Sequence, residues 1–218
     1  MTAAQRIAAI AFALFASVAA HADDAAKAPE TSFDGLQRVE SKRFALAWVR
    51  EGADLSGYTK LLVLPAEISY KSKPTRQRRA DDNFELNDSQ MKRLRKSLRD
   101  AFKEQLVDKG GWQVVEEPGP DVLLVRGGLI DMIAHVPPTT AGRSNVYLDS
   151  FGEATLVIEL YDSQSHQILA RIADRDAAEP PGNRMGWDME APAEVRRMFN
   201  AWAKRFREAL DAAKARQL

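Results

Sequence analysis

Apolar positions recur along the chain with two different periods, which predict helices in some segments and strands in others. Spacings of three and four residues from Met91 to Leu106, and again from Val195 to Ala213, predict two amphipathic helices. Alternation or short apolar runs predict strands in the segments "RFALAWVR", "TKLLVLPAEISY", "WQVVEE" and "DVLLVRGGLIDMIAHV", and a hairpin from Glu153 around the turn "DSQSH". The order β-β-α-β-β-β-β-α predicts an α+β fold: a two-layer sandwich of a mixed, mostly antiparallel sheet with both helices on one face.

Local residues refine these boundaries. Asn87 and Gln90 have the spacing of a capping box, and Gly110-Gly111 is expected to end the first helix. The apolar run from Leu61 to Leu64 predicts burial on both faces of the sheet until Pro65 breaks the ladder. The long strand that follows is expected to bend at Gly127-Gly128, and we favour this bend over a phosphate-binding loop.

The N-terminus has the pattern of a secretory signal peptide. One positive charge precedes the apolar run "IAAIAFALFASVAA", and Ala20 and Ala22 suit cleavage after Ala22. Residues 1–22 are therefore predicted to be a signal peptide, residues 23–42 a mobile leader, and residues 43–218 a single domain. We expect a periplasmic protein with no transmembrane segment in its mature chain, although a membrane anchor at the N-terminus is an alternative.

Composition narrows the possible chemistry. The chain has no cysteine, which excludes disulfides, thiolate catalysis, cysteine zinc sites and a lipid anchor on cysteine. Its 31 basic and 31 acidic residues balance, so the net charge predicts no nucleic-acid partner. The oligomeric state is left open. Hydrolase and nucleotide-binding motifs are absent from the sequence, and we predict no cofactor, no metal and no catalytic residues.

A basic segment is the first candidate binding site. The stretch "KSKPTRQRR" precedes the first helix, and basic residues continue along that helix. The candidate ligand-binding residues are Arg76, Arg78, Arg79, Lys92, Arg93, Arg95 and Lys96. They predict a face for anionic lipid, lipopolysaccharide or another envelope protein. The alternative is a solvated surface neutralised by the neighbouring acids Asp81, Asp82, Glu85 and Asp88.

Two further loops carry candidate residues. Tyr147, Phe151 and Trp187 are aromatic residues in polar loops, where ligand sites tend to lie, although Trp187 is also expected to cover the core. A rival hypothesis is a small hydrolase whose carboxylates come from Asp131, Asp149, Asp174 and Asp176. A zinc site combining His135 with such carboxylates is disfavoured, because only two histidines remain after the signal peptide.

Four phrases in a fixed order resemble a bacterial envelope family catalogued as domain of unknown function 3313. They are "VREGADLSGYTKLLVLPAEISY", "EEPGPDVLLVRGGLIDM", "GEATLVIELYDSQSHQILARIADRDA" and "WAKRFREALD". Many members of that family look like lipoproteins, and this chain departs from them because it has no cysteine to acylate. It also has His166 where the hairpin turn of the family tends to have glycine, and histidine tolerates the positive φ expected there.

Taken together, these features favour a non-enzymatic binding or accessory protein of the cell envelope with a basic surface. The alternatives are the hydrolase with a carboxylate site and an adaptor that binds another protein through a sheet edge.

Overall fold

The structure is a computed structural model that describes residues 30–72, 85–134, 152–178 and 187–215 of the 218-residue chain, and the side chains of the last range from residue 193 onward. The strands are β1 (Gln37–Arg38), β2 (Leu46–Val49), β3 (Lys60–Val63), β4 (Glu67–Tyr70), β5 (Gln113–Val114), β6 (Val122–Ala134), β7 (Gly152–Asp162) and β8 (Ile168–Ala178). The helices are α1 (Asp88–Lys103), continued by a π-helical turn at Glu104–Asp108, and α2 (Trp187–Ala215). The predicted α+β class is confirmed.

The strands form one mixed sheet in the order β1-β2-β8-β7-β6-β3-β5. The pairs from β1 to β6 in this order are antiparallel, whereas β6 pairs with β3 and β3 with β5 in parallel. β4 follows β3 after the interruption at Pro65 and pairs in parallel with the second half of β6. Proline has no amide hydrogen, which explains why one edge of the sheet is divided into two short strands.

Both helices pack on the same face of this sheet, as the sequence predicts. Their shared core includes the fully buried Phe199, Trp202 and Phe206 of α2, together with Leu98 of α1 and Leu123 of β6. The rings of Phe102 and Phe206 meet across the two helices, with their centroids 6.0 Å apart. Within the described residues, neither helix is long and apolar enough to cross a membrane.

Several local predictions are confirmed. Gln90 N donates to Asn87 Oδ1 at 3.0 Å and Asn87 N donates to Gln90 Oε1 at 2.9 Å, which is the complete capping box of α1. Gly111 has a φ of 71° after the last turn of that helix. In the hairpin between β7 and β8, His166 adopts a φ of 58°, the left-handed conformation expected at that turn.

Two predictions about the strands are wrong. The strand β6 does not bend at Gly127-Gly128, since both residues pair with β7, and its irregularity lies at Asp131, which has a φ of 51°. Gly128 is instead needed for close approach, because a Cβ there would lie 2.4 Å from the carbonyl oxygen of Glu67. The run after Leu61 is not buried on both faces: Val63 is 47% exposed and Leu64 38% exposed.

The prediction of a mobile leader up to residue 42 is also wrong for its second half. Residues 30–38, which we call the N-terminal strap, include the edge strand β1, and Asp34 and Leu36 contact the sheet face opposite the helices. Leu36 of the strap is fully buried in a second apolar cluster that contains Trp48, Ile130 and Val157. Phe33 and Leu36 are the only large apolar residues of the strap, too few to give a periodic signal, and the burial of Leu36 helps to hold the segment in place.

A buried ionic network fixes the strap to the central strands. The guanidinium of Arg171 on β8, whose side chain is 7% exposed, donates from Nε to Glu159 Oε1 on β7 at 2.8 Å. It also forms a two-point contact with the carboxylate of Asp34 in the strap, and the ring of Phe33 lies 5.2 Å from the guanidinium carbon. Burial opposes ionisation of Asp34, but hydrogen bonds from Arg171 and Ser32 outweigh it and lower the pKa.

We expect Leu36→Ala to destabilise the protein by about 3 kcal/mol, because it removes a fully buried side chain and leaves a cavity. Val39→Ala is the matched control, since Val39 lies just beyond the strap and is 40% exposed, and it should cost less than about 1 kcal/mol. Urea unfolding of both variants measures the difference. Equal and small losses would show that the strap does not pack on the sheet.

Candidate functional site

The outer face of α1 carries a continuous row of cations. Counted from the first cation, the others lie three, four, seven and eleven residues further along the helix. These spacings place all of them on one side of the helix. We call this row the basic stripe, and it consists of Lys92, Arg95, Lys96, Arg99 and Lys103. All five side chains are exposed, while Leu98 and Ala101 on the other side of the helix are buried in the core.

The stripe is largely without counter-charges among the described residues. Lys96 Nζ bonds Asp100 Oδ2 at 2.5 Å, and no described carboxylate forms an ion pair with Lys92, Arg95 or Arg99. The pKa of Asp100 is lowered first by the hydrogen bond from Lys96, and the charges of Lys96, Arg99 and Lys103 lower it further. The stripe therefore presents a positive potential that its own helix does not cancel.

The surface of α2 has the opposite arrangement. Three of its cations have carboxylates three or four residues away on the same helix. The pairs are Arg197 with Glu194 at 2.5 Å, Lys204 with Glu208 at 4.0 Å, and Arg207 with Asp211 at 3.1 Å. Because both helices belong to one layer, the difference between them lies in sequence and not in the architecture.

The structure brings together part of the basic surface predicted from the sequence. Lys92, Arg95 and Lys96 lie on the stripe, and Arg93, which is also exposed, lies beside it, three residues before Lys96. Arg99 and Lys103 belong to the stripe but were not among the candidate binding residues; their spacings of seven and eleven residues from Lys92 were the available signal. Arg76, Arg78 and Arg79 lie outside the described residues, as do Tyr147 and Phe151, and Trp187 is described only as the first backbone position of α2.

The flanks of these predicted loops do converge. Tyr70 pairs with Met132, and Ala134 pairs with Gly152, which pairs with Ala178. The chain therefore leaves β4, β6 and β8 at the same end of the sheet, and it enters α1 and α2 after two of these exits. The three loops singled out in the sequence are attached to one end of the molecule.

The carboxylates of the hydrolase hypothesis are distributed differently. Asp131 lies at the irregularity of β6, and Asp149 and His135 are outside the described residues. Asp174 and Asp176 lie beneath α2, where Arg205 contacts both, through Nη1 to Asp174 at 2.9 Å and Nη2 to Asp176 at 3.1 Å. In the part of the chain that the structure describes, no group of three or more histidines and acids is placed to hold a metal ion.

Asp174 serves as an attachment point between layers. Its Oδ2 accepts from Trp202 Nε1 at 2.9 Å, and its Oδ1 accepts from the amide of Ala45 at 3.0 Å. Burial raises the pKa of Asp174, although the hydrogen bond from Ala45 and the charge of Arg205 act in the other direction. Both oxygens are occupied by protein donors, so the carboxylate joins β2, β8 and α2.

We expect Arg205→Met to destabilise the protein by about 3 kcal/mol near neutral pH, because it leaves the buried carboxylate of Asp174 without its cation. A folded-state pKa above the unfolded value means that Asp174 favours the folded state at low pH and that this contribution is lost as pH rises between the two values. The loss should therefore be smaller at about pH 4.5 than at about pH 7, as measured by urea unfolding.

Asp176→Asn provides the control for this experiment. Asp176 is the more exposed partner of Arg205, with 42% of its side chain accessible, so its loss should cost less than about 1 kcal/mol. An effect of Arg205→Met that is the same at both pH values would contradict the role assigned to Asp174.

Comparison with known proteins identifies the family. The model of a family described as a protein of unknown function, DUF3313, matches residues 28–206. The chain belongs to DUF3313. The match begins just before the strap and ends within α2. In this DUF3313 protein it therefore includes the strap, the whole sheet and α1.

Solved structures resemble the chain at low similarity. Protein XCC0632 from Xanthomonas campestris, of the family DUF330, is 11% identical, with a TM-score of 0.45 over 76% of this chain and 91% of its own. The PelC dodecamer from Paraburkholderia phytofirmans is 11% identical, with a TM-score of 0.35 over 71% of this chain and 95% of its own. The search of curated proteins gave no match.

Proposed function

We propose that this DUF3313 protein is a non-enzymatic accessory protein of the cell envelope that binds anionic phosphate-bearing surfaces through the basic stripe of α1. The observation that carries the proposal is the contrast between the two helices. On α2, Arg197, Lys204 and Arg207 each have an acid at helical spacing, whereas Lys92, Arg95 and Arg99 on the stripe have no ion-pair partner among the described residues.

The stripe suits phosphate groups on an extended surface better than it suits a small ligand. Its five side chains are exposed along about three turns of helix, so their charges are spread out. Each Lys or Arg near an anionic membrane contributes about 1 kcal/mol to binding, an attraction that salt screens. Such binding needs no cavity and no catalytic group.

The sequence supports the same location and the same kind of binding. The predicted signal peptide would export the chain, and the basic segment "KSKPTRQRR" lies shortly before α1 in the sequence. The source of phosphate is an anionic phospholipid or lipopolysaccharide, and both present phosphate oxygens to lysine and arginine.

The test is co-sedimentation of the purified protein with three kinds of vesicle: neutral phosphatidylcholine, the same lipid with phosphatidylglycerol, and the same lipid with lipopolysaccharide. We expect binding to one or both anionic vesicles at low salt, weaker binding at moderate salt, and none to neutral vesicles. The combined variant Lys92→Gln, Arg95→Gln and Arg99→Gln should bind about a hundredfold more weakly, since it lacks three surface cations.

The matched control removes three exposed cations elsewhere, by Lys109→Gln, Arg196→Gln and Lys204→Gln. Glutamine keeps helix propensity close to that of lysine and arginine, so both variants should fold equally well. An equal loss of binding in the two variants would assign the attraction to overall charge. No binding to either anionic vesicle at low salt would refute the proposal.

A further inference from the structure

A second surface lies at the edge of the sheet formed by β4. One edge of β4 pairs with β6, and no described strand pairs with its other edge. The neighbouring β5 pairs only with Lys60 and Leu61, so it ends before the exposed apolar residues Val63 and Leu64. An unpaired edge next to exposed apolar side chains can accept a further strand.

The sequence of this edge is complementary to itself. Suppose that the β4 strands of two copies pair antiparallel about a twofold axis at Ser69. Glu67 of each copy then lies opposite Lys71 of the other copy, which gives two charge pairs. Ile68 then lies opposite the partner's Tyr70, which is a favourable pairing of a β-branched with an aromatic side chain. Lys71 has no ion pair among the described residues, and Glu67 is 41% exposed with Arg126 at 3.4 Å, so both charges can take a further partner.

Proline and lysine residues often protect a sheet edge against pairing with another strand. At the edge of β4, Pro65 and Lys71 instead limit which antiparallel registers of two β4 strands are favourable. Pro65 has no amide hydrogen to donate, so a ladder of hydrogen bonds along the edge of β4 cannot continue past Pro65 toward the N-terminus. An axis through Glu67 would place two glutamates opposite each other, and an axis through Lys71 would do the same with two lysines. The register centred on Ser69 avoids both repulsions and gains two attractive pairs.

We propose that two copies of this chain join along the outer edges of their β4 strands, in the antiparallel register centred on Ser69, to form one continuous sheet. The contact would leave the basic stripe on α1 outside the strand ladder, so it is independent of binding to vesicles. The partner is a second copy because the edge supplies both members of each charge pair itself.

The test uses charge reversal. Sedimentation equilibrium of the purified full-length product should show a dimer, and Glu67→Lys or Lys71→Glu alone should weaken dimerisation by about tenfold or more, because each places like charges opposite each other twice. An equal mixture of the two variants should form heterodimers, since every charge pair in the mixed dimer is again attractive. Native mass spectrometry identifies the mixed species.

Two controls accompany the test. The exposed pair Glu104 and Lys109 belongs to the π-helical turn after α1 and not to β4, so Glu104→Lys and Lys109→Glu should leave dimerisation unchanged. Urea unfolding of each variant checks that it is folded. A monomeric wild-type protein would overturn the proposal and assign the edge to another partner or to another segment of this chain. A wild-type dimer that both edge variants leave intact would overturn it as well, because its interface would lie elsewhere.

Discussion

The buried guanidinium of Arg171 is the interaction on which the outer face of the sheet depends. A cation with 7% exposure must have anions beside it, because burial without partners costs several kcal/mol. Glu159 on the next strand supplies one, and it is itself buried with Tyr161 donating to it at 2.7 Å. The other anion is Asp34, which can reach Arg171 only if the strap lies across the sheet. The ionic network therefore determines where the N-terminal part of the fold lies.

The strand β8 carries a buried ion on each of its two faces, and each ion attaches a different element. Arg171 on the outer face holds the strap, and Asp174 on the helix face holds α2 through Trp202 and Arg205. Buried ion pairs add little net stability compared with apolar packing, but their geometry is demanding. Their main effect here is to define positions: a helix shifted along the sheet would lose the hydrogen bond from Trp202 and leave the carboxylate of Asp174 buried without its donors.

The features predicted correctly from the sequence are those decided by neighbouring residues. The capping box at Asn87, the left-handed turn at His166 and the break at Pro65 each follow from the chemistry of a few adjacent positions. The strap was missed because its contacts are distant: Asp34 and Arg171 are 137 residues apart, and the polar segment 23–42 in which the strap lies has the composition of a solvated one. The glycines of β6 were assigned to a bend because glycine often marks irregular strands, but Gly128 is required by the backbone of β4.

The same distinction applies to the candidate site. Helical spacing is a local property, so the sequence could place Lys92, Arg95 and Lys96 on one face, with Arg93 beside them. Neutralisation by acids at helical spacing, as on α2, is visible in the sequence, whereas neutralisation by acids that the fold brings near, as for Arg171, is not. The interior of this protein pairs its ions closely, and three cations of α2 are paired within their own helix, whereas several unpaired cations share one side of α1. The anionic partner proposed above would supply the counter-charge that α1 itself does not provide.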